Sequence, residues 1–325
     1  MPKVQGIGHQ VGSQSAGRAV AGGGIKRAGQ CLLGLLMGLV LTACGSLQST
    51  KPAEPAPLPM AERREVRLGL ALGGGAARGF AHVGVIQVLE EAGLRPSHVA
   101  GTSAGSLVAA LYASGKNPAE LVRVAESMQE AEITDWMLPI LNRGALRGEA
   151  LAKYVNTQVG GKTMEQMPIA LGIVATDLGS GQAITFRRGN TGAAVRASSA
   201  VPAVFQPVRL GDREYVDGGL VSPVPVRQTR EMGANFVIAV DISSDPEGNP
   251  YGDTFQILMQ TFAIMGKSIN SLALKEADLV IRPALSGVKS ADFSARLRAI
   301  EAGRMAMRAA LPALKARMAQ FQEGR

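Results

Sequence analysis

Two closely spaced turns constrain this chain more than any other feature of its sequence. Leu68, Leu70 and Leu72 lead into Gly73-Gly74-Gly75-Ala76-Ala77-Arg78-Gly79, and Val99-Ala100 lead into Gly101-Thr102-Ser103-Ala104-Gly105. After each turn the apolar residues fall at helical spacing: Val85, Ile86, Val88 and Leu89 in one case, Leu107, Val108 and Leu111 in the other. Each unit therefore reads as a buried strand, a glycine turn and a helix that opens at once. A helix N-terminus presents free N–H groups and partial positive charge, so both turns can hold an anion. One turn carries a serine at its tip and the other offers only backbone amides. That is the arrangement of a nucleophile facing an oxyanion hole.

The rest of the chain repeats the grammar. Strands are predicted over 64–72, 169–178, 183–187, 214–217, 235–240 and 277–281. Helices are predicted over 77–92, 104–114, 149–159, 193–198 and 226–232, with Asn117-Pro118-Ala119-Glu120 starting another by N-cap, N1 proline and N3 acid. A long helix starts at Thr254 with Phe255, Leu258, Met259, Phe262, Met265, Ile269 and Leu272 on one face. Phe293, Leu297, Ile300, Met307, Leu311, Leu314 and Met318 mark a terminal helix that Pro312 should kink or divide. The stretch 131–147, rich in apolar residues around Pro139, reads as a core loop in preference to a flap. Such alternation implies a mostly parallel α/β sheet covered by helices on both faces.

The first 63 residues read differently. Lys26-Arg27 precede the apolar run from Cys31 to Leu41, which is shorter than the roughly 20 residues of a bilayer span. The run ends in Leu41-Thr42-Ala43-Cys44, which resembles the lipobox of bacterial lipoprotein signals; an ordinary secretory signal or an uncleaved anchor are the alternatives. The resemblance implies a signal peptide over 1–43, with Cys44 acylated at the mature N-terminus. Gly45-Ser46 after it, in place of an acidic residue, implies the outer membrane, facing the periplasm. Residues 44–63 form a proline-rich tether, and the folded domain spans 64–325. No cysteine follows Cys44, so the folded domain has neither a disulfide nor a cysteine metal site.

Of the net charge of +8, four positive charges (Lys3, Arg18, Lys26 and Arg27) lie in the first 43 residues, which hold no acid. With four Tyr, one Trp and no basic-aromatic tract, nucleic-acid binding is disfavoured. Nucleotide binding is disfavoured too. Arg78 stands where the dinucleotide pattern begun by Gly73 and Gly75 needs glycine. Asn156 and Thr261 occupy the first-glycine seats of the two Walker-like fragments at Gly161-Lys162-Thr163 and Gly266-Lys267-Ser268.

Gly101-x-Ser103-x-Gly105 fits the nucleophile elbow, whose glycines let the backbone fold so that the serine Oγ stands clear at a helix N-terminus; an N-capping serine in a tight turn is the alternative. A serine needs a base, yet no histidine follows Ser103. His98 sits on the entering strand, and His82, inside the first helix, reads as a packed or capping residue. A carboxylate must then take the proton directly. Asp217, before Gly218-Gly219, is the first candidate, with an aspartate that merely closes an Asx-turn as its alternative, and Asp177 is the second. No metal or cofactor is implied, because no ligand-spaced His/Cys/Asp cluster exists.

Gly-Gly-Gly-x-x-Arg-Gly at 73–79, Gly-Thr-Ser-Ala-Gly at 101–105, Ala-Ser-x-Ala-x-Pro-x-x-Phe at 197–205 and Asp-Gly-Gly at 217–219 together resemble a bacterial patatin-like phospholipase. The resemblance implies a patatin-like three-layer sandwich and a dyad of Ser103 as nucleophile and Asp217 as general base. It implies an oxyanion hole at Gly73, Gly74 and Gly75 with Arg78 supporting the loop, and Gly101 and Gly105 as the elbow glycines. Plant members carry glycine where this chain has Ala76. The expected substrate is a phospholipid, lysophospholipid or other fatty-acyl ester, with membrane association through the lipid anchor. The competing expectation is a catalytically idle patatin fold serving as a regulatory or binding lipoprotein of the envelope.

Overall fold

A computed structural model of the chain describes residues 63–135, 143–289 and 291–324. The expected leader and nearly all of the tether lie outside the described residues, as does 136–142 of the stretch assigned to the core. Short apolar runs become strands β1 (Leu68–Leu72), β2 (His98–Thr102), β3 (Gly144–Leu146), β4 (Ala170–Asp177) and β5 (Ala183–Phe186). They continue as β6 (Ala203–Phe205), β7 (Val208–Leu210), β8 (Arg213–Asp217), β9 (Phe236–Val240) and β10 (Leu279–Ile281). Between them stand helices α1 (Phe80–Glu91), α2 (Ala104–Ala113), α3 (Pro118–Ser127), α4 (Glu130–Ile133) and α5 (Glu149–Gln158). The remaining helices are α6 (Thr191–Ser198), α7 (Val226–Glu231), α8 (Thr254–Ala273) and α9 (Arg296–Gln322).

Five strands, β10-β9-β1-β2-β4, run parallel. Side chains of successive strand residues leave opposite faces, and here both faces are covered. Leu68, Leu70 and Leu72 of β1 and Phe236, Ile238 and Val240 of β9 join the larger core with α1, α2 and α9. Ala71, Val237 and Ala239 point the other way, toward Val226 of α7 and Leu274. The result is a three-layer α/β sandwich.

The register around β4 brings the site together. Ile173 and Val174 pair with both β2 and β5, so those strands lie on opposite edges of β4. Ala175 and Thr176 pair with both β5 and β8, so β8 takes the same edge as β2. β2 runs parallel to β4 and ends at Thr102, opposite Val174; β8 runs antiparallel and ends at Asp217, opposite Ala175. The two strands therefore meet end to end along one edge, one residue apart in register.

Three elements differ from expectation. The first helix begins later, because Ala76–Gly79 form a 3₁₀ turn before α1. α9 is one helix of 27 residues with Pro312 inside it. Pro312 is exposed, so the carbonyl that loses its donor can be hydrated. The apolar stripe of α8 is not a buried face: Phe255, Met265 and Leu272 are exposed, and Leu258, Met259, Phe262 and Ile269 are half-buried.

Candidate active site

The turn after β2 is built for close backbone approach. A Cβ at Gly101 would stand 2.3 Å from the Gly105 carbonyl oxygen, and one at Gly105 would stand 2.2 Å from the Leu72 oxygen, so neither position accepts a side chain. Ser103 between them adopts φ 52° and ψ −124°, a strained conformation for a residue with a side chain. Its hydroxyl makes no capping hydrogen bond to α2, which removes the N-cap alternative. The backbone holds the strain instead: the Ser103 N–H donates to Ser198 Oγ at 2.9 Å, and its carbonyl accepts from Ser106 Oγ at 2.6 Å. Thr102 Oγ1 donates to the Ser222 carbonyl at 2.8 Å and ties this turn to the segment after Asp217.

Asp217 arrives from the opposite direction at the end of β8. Its Oδ1 accepts the Gly219 N–H at 2.6 Å, while buried Oδ2 has no hydrogen-bond partner. Burial raises its pKa to about 6, opposed by interactions with the Ser103 hydroxyl and the Gly219 amide. The hydroxyl is thus near enough to act on the carboxylate without closing a geometric hydrogen bond, an arrangement common at catalytic pairs without substrate. Asp177, the second candidate base, is committed elsewhere. Its Oδ1 accepts from the Gly179 and Ser180 amides at 2.9 and 3.1 Å, and its Oδ2 from Arg213 at 2.5 Å. The Arg213 bond leads the causes that lower its pKa.

The glycine loop narrows the oxyanion assignment. The Gly73 N–H donates to the Val240 carbonyl and the Gly74 N–H to the Pro223 carbonyl, each at 3.0 Å, so these two amides are not free donors. Gly74 is the loop's point of approach to the nucleophile, where a Cβ would stand 3.2 Å from Ser103 Cβ. Among the described residues the Gly75 and Ala76 amides have no protein acceptor. Ala76 takes φ 49°, the left-handed conformation for which glycine is suited. Beneath the loop His82 is fully buried with Nε2 2.8 Å from the Gly73 carbonyl, and burial lowers its pKa to about 4. It is a neutral donor that props the loop. Arg78 is also buried, its charge disfavoured by desolvation and favoured by Asp241, and it does not line the cavity at Ser103.

That cavity has a volume of about 280 Å³. Phe80, Val83, Leu111, Leu121, Met128 and Phe293 are among its walls, and Glu130 is the one charged residue among its described lining. The described ends of the 131–147 stretch, Ile133, Thr134 and Leu146, also line it. Asp135 fastens that stretch by accepting the Gly148, Glu149 and Ala150 amides at 2.6, 2.8 and 3.1 Å. Ser198 is the site residue that sequence reasoning missed. Fully buried, it donates to the Val174 carbonyl at 2.5 Å and accepts from Ser103, so it locks the turn to β4. Its place in the 197–205 block was the available signal.

Residues 70–230 match the patatin-like phospholipase family. An uncharacterized NTE family protein of Mycobacterium tuberculosis is 37% identical over 195 residues, covering 60% of this chain and 54% of that protein. A lysophospholipase of Debaryomyces hansenii is 29% identical over 194 residues, covering 58% of this chain and 12% of that one. The chain spans about half the length, or less, of the curated relatives it matches. VipD from Legionella pneumophila has the same fold, with a TM-score of 0.53 at 16% identity over 77% of this chain and 68% of that one. By its matched domain and its relatives, the chain belongs to the patatin-like phospholipase family.

Proposed function

We propose that this chain is a lipid acyl hydrolase that works through a Ser103–Asp217 dyad and an acyl-enzyme. The observation that supports this reading most directly is the end-to-end meeting of β2 and β8. It sets a strained, uncapped serine beside a buried carboxylate with one unpartnered oxygen. Ser103 Oγ attacks the ester carbonyl while Asp217 Oδ2 accepts its proton. The developing oxyanion is held by the Gly75 and Ala76 amides. The alcohol then leaves with the proton from Asp217. Water, deprotonated by the same carboxylate, attacks the acyl-enzyme, and Asp217 returns that proton to Ser103 Oγ as the C–O bond breaks and the fatty acid leaves.

The apolar cavity suits a fatty-acyl chain, and the family and its lysophospholipase member favour a phospholipid, lysophospholipid or similar ester. The lipobox-like Leu41-Thr42-Ala43-Cys44 supports a lipid-anchored envelope location for the same protein.

The test is fatty-acid release from p-nitrophenyl acyl esters and from phospholipid vesicles. Ser103→Ala and Asp217→Asn should each lower kcat by on the order of 10³-fold or more with the fold retained. Release that survives Asp217→Asn would move the base elsewhere. A wild-type chain that releases nothing, and whose Ser103 is not labelled by a fluorophosphonate, would sink the hydrolase reading.

A further inference from the structure

α8 is unlike the other long helices of the domain. Nine large apolar side chains are exposed among the described residues, and six of them (Tyr251, Phe255, Ile257, Ile264, Met265 and Leu272) fall on α8 or just before it. They are therefore a patch and not a scatter. Between them stand Thr254, Thr261, Ser268 and Ser271, small and uncharged. Lys267 is the one charged residue in the 20-residue helix, and it is ion-paired with Asp245 at 3.0 Å. Twenty residues make a rod of about 30 Å. Its outward side presents mainly aliphatic groups beside the exposed, mutually neutralised Lys267–Asp245 pair and the N-capping Asp253, and Tyr251, a residue type suited to a membrane–water boundary, stands just before it.

The inner side of α8 fixes where this patch lies. Gly266 meets Pro223, and the helix packs against the Gly218–Leu220 turn that directly follows Asp217. The helix that carries the exposed apolar strip therefore lies against the turn that follows the candidate base. The cavity at Ser103 is itself almost wholly apolar, and ligands that fit such a cavity reside in lipid aggregates rather than free in water. No helix among the described residues is long and apolar enough to cross a membrane, so α8 would lie along a surface and not through it.

We propose that α8, with Tyr251, is a lipid-docking face that beds the domain on an uncharged bilayer surface beside the Asp217 turn. This rests on the acyl-hydrolase reading for its purpose, although not for the binding itself. The face acts by holding the domain at the bilayer, where a lipid substrate resides. It adds to any anchor at Cys44, because it orients the domain where a tether alone leaves it free to turn.

The experiment uses the domain from residue 63, which contains every described strand and all three hydrophobic clusters, so that the leader cannot contribute. Co-flotation with phosphatidylcholine vesicles is measured for this domain and for the Ile257→Asp/Ile264→Asp variant, both also carrying Ser103→Ala so that the vesicles stay intact. The two isoleucines are exposed, so the variant keeps its fold, and circular dichroism checks this. Loss of two such side chains from an apolar surface should weaken vesicle binding by roughly 100-fold. With Ser103 intact, the variant's rate on phosphatidylcholine vesicles should fall by a similar factor, while its rate on soluble p-nitrophenyl butyrate stays within about two-fold. Unchanged flotation would overturn the proposal. So would a wild-type dimer that the variant splits, seen by sedimentation while flotation persists, since a second copy would then be the occupant. A wild-type domain that hydrolyses neither substrate would remove the hydrolase reading, and flotation would still decide the docking face.

Discussion

The two oxygens of Asp217 differ in their surroundings. Oδ1 is held by Gly219, two residues on, while Oδ2 is buried and unpaired. Its pKa is raised from 3.8 to about 6 by burial, with a consequence for rate and another for stability. As a base the carboxylate must be ionised, so kcat/KM should rise with pH through about 6 and level off above about 7. For stability the sign is reversed. The folded protein holds this proton more tightly than the unfolded chain, so the contribution is fully present below pH 3.8 and is lost as pH rises through about 6. Asp217→Asn should therefore stabilise the protein at pH 8 by up to ~3 kcal/mol, a gain that disappears by about pH 4 in urea titrations at the two pH values. The Asp-Gly-Gly spacing made this residue legible, because its structural partner is local. The partners of the Gly73 and Gly74 amides are Val240 and Pro223. Nothing in the glycine run shows that distant carbonyls occupy two of its three amides. Ser198 was missed for the same reason, since its role exists only where α6 approaches the turn after β2.

Helices α1 and α9 cross with their backbones in contact. A Cβ at Gly84 would stand 1.9 Å from the Ile300 oxygen, and one at Gly303 would stand 2.0 Å from the Ala81 oxygen. Gly303→Ala has no flexible neighbour to displace, so it should cost about 3 kcal/mol or more in denaturant titrations. α1 follows the glycine loop directly, so the same substitution should also lower kcat. The interior strands were legible because parallel strands covered on both faces read as unbroken apolar runs, as in Leu68–Leu72 and Phe236–Val240. α8 was not, because periodicity shows that apolar residues share a side of a helix without showing what that side meets. The short β6 and β7 carry too few residues for a pattern; β7 pairs with β8 at the edge of the main sheet, and β6 with β3 in a separate two-stranded sheet.

The ends of the domain are joined. The Arg64 N–H donates to the Gln322 carbonyl at 3.0 Å, and Phe321 meets Phe236 edge-on at 5.8 Å. Arg64 therefore lies on the side where α9 ends. If Cys44 is the acylated residue, cells fed labelled palmitate should yield a labelled protein. Cys44→Ala should abolish the label while leaving ester hydrolysis in extracts intact. Incorporation that persists in Cys44→Ala would exclude this lipid anchor.

The meeting of β2 and β8 has a further consequence, for the order in which the chain is made. The serine emerges from the ribosome more than a hundred residues before the aspartate, and β1 stays without one sheet neighbour until β9 has been synthesised. A nascent chain that ends before β8 would hold the proposed nucleophile without its proposed base, on a sheet still lacking β8 and β9. Under the proposed dyad, hydrolytic capacity would then arise once and late, with the closing of the sheet.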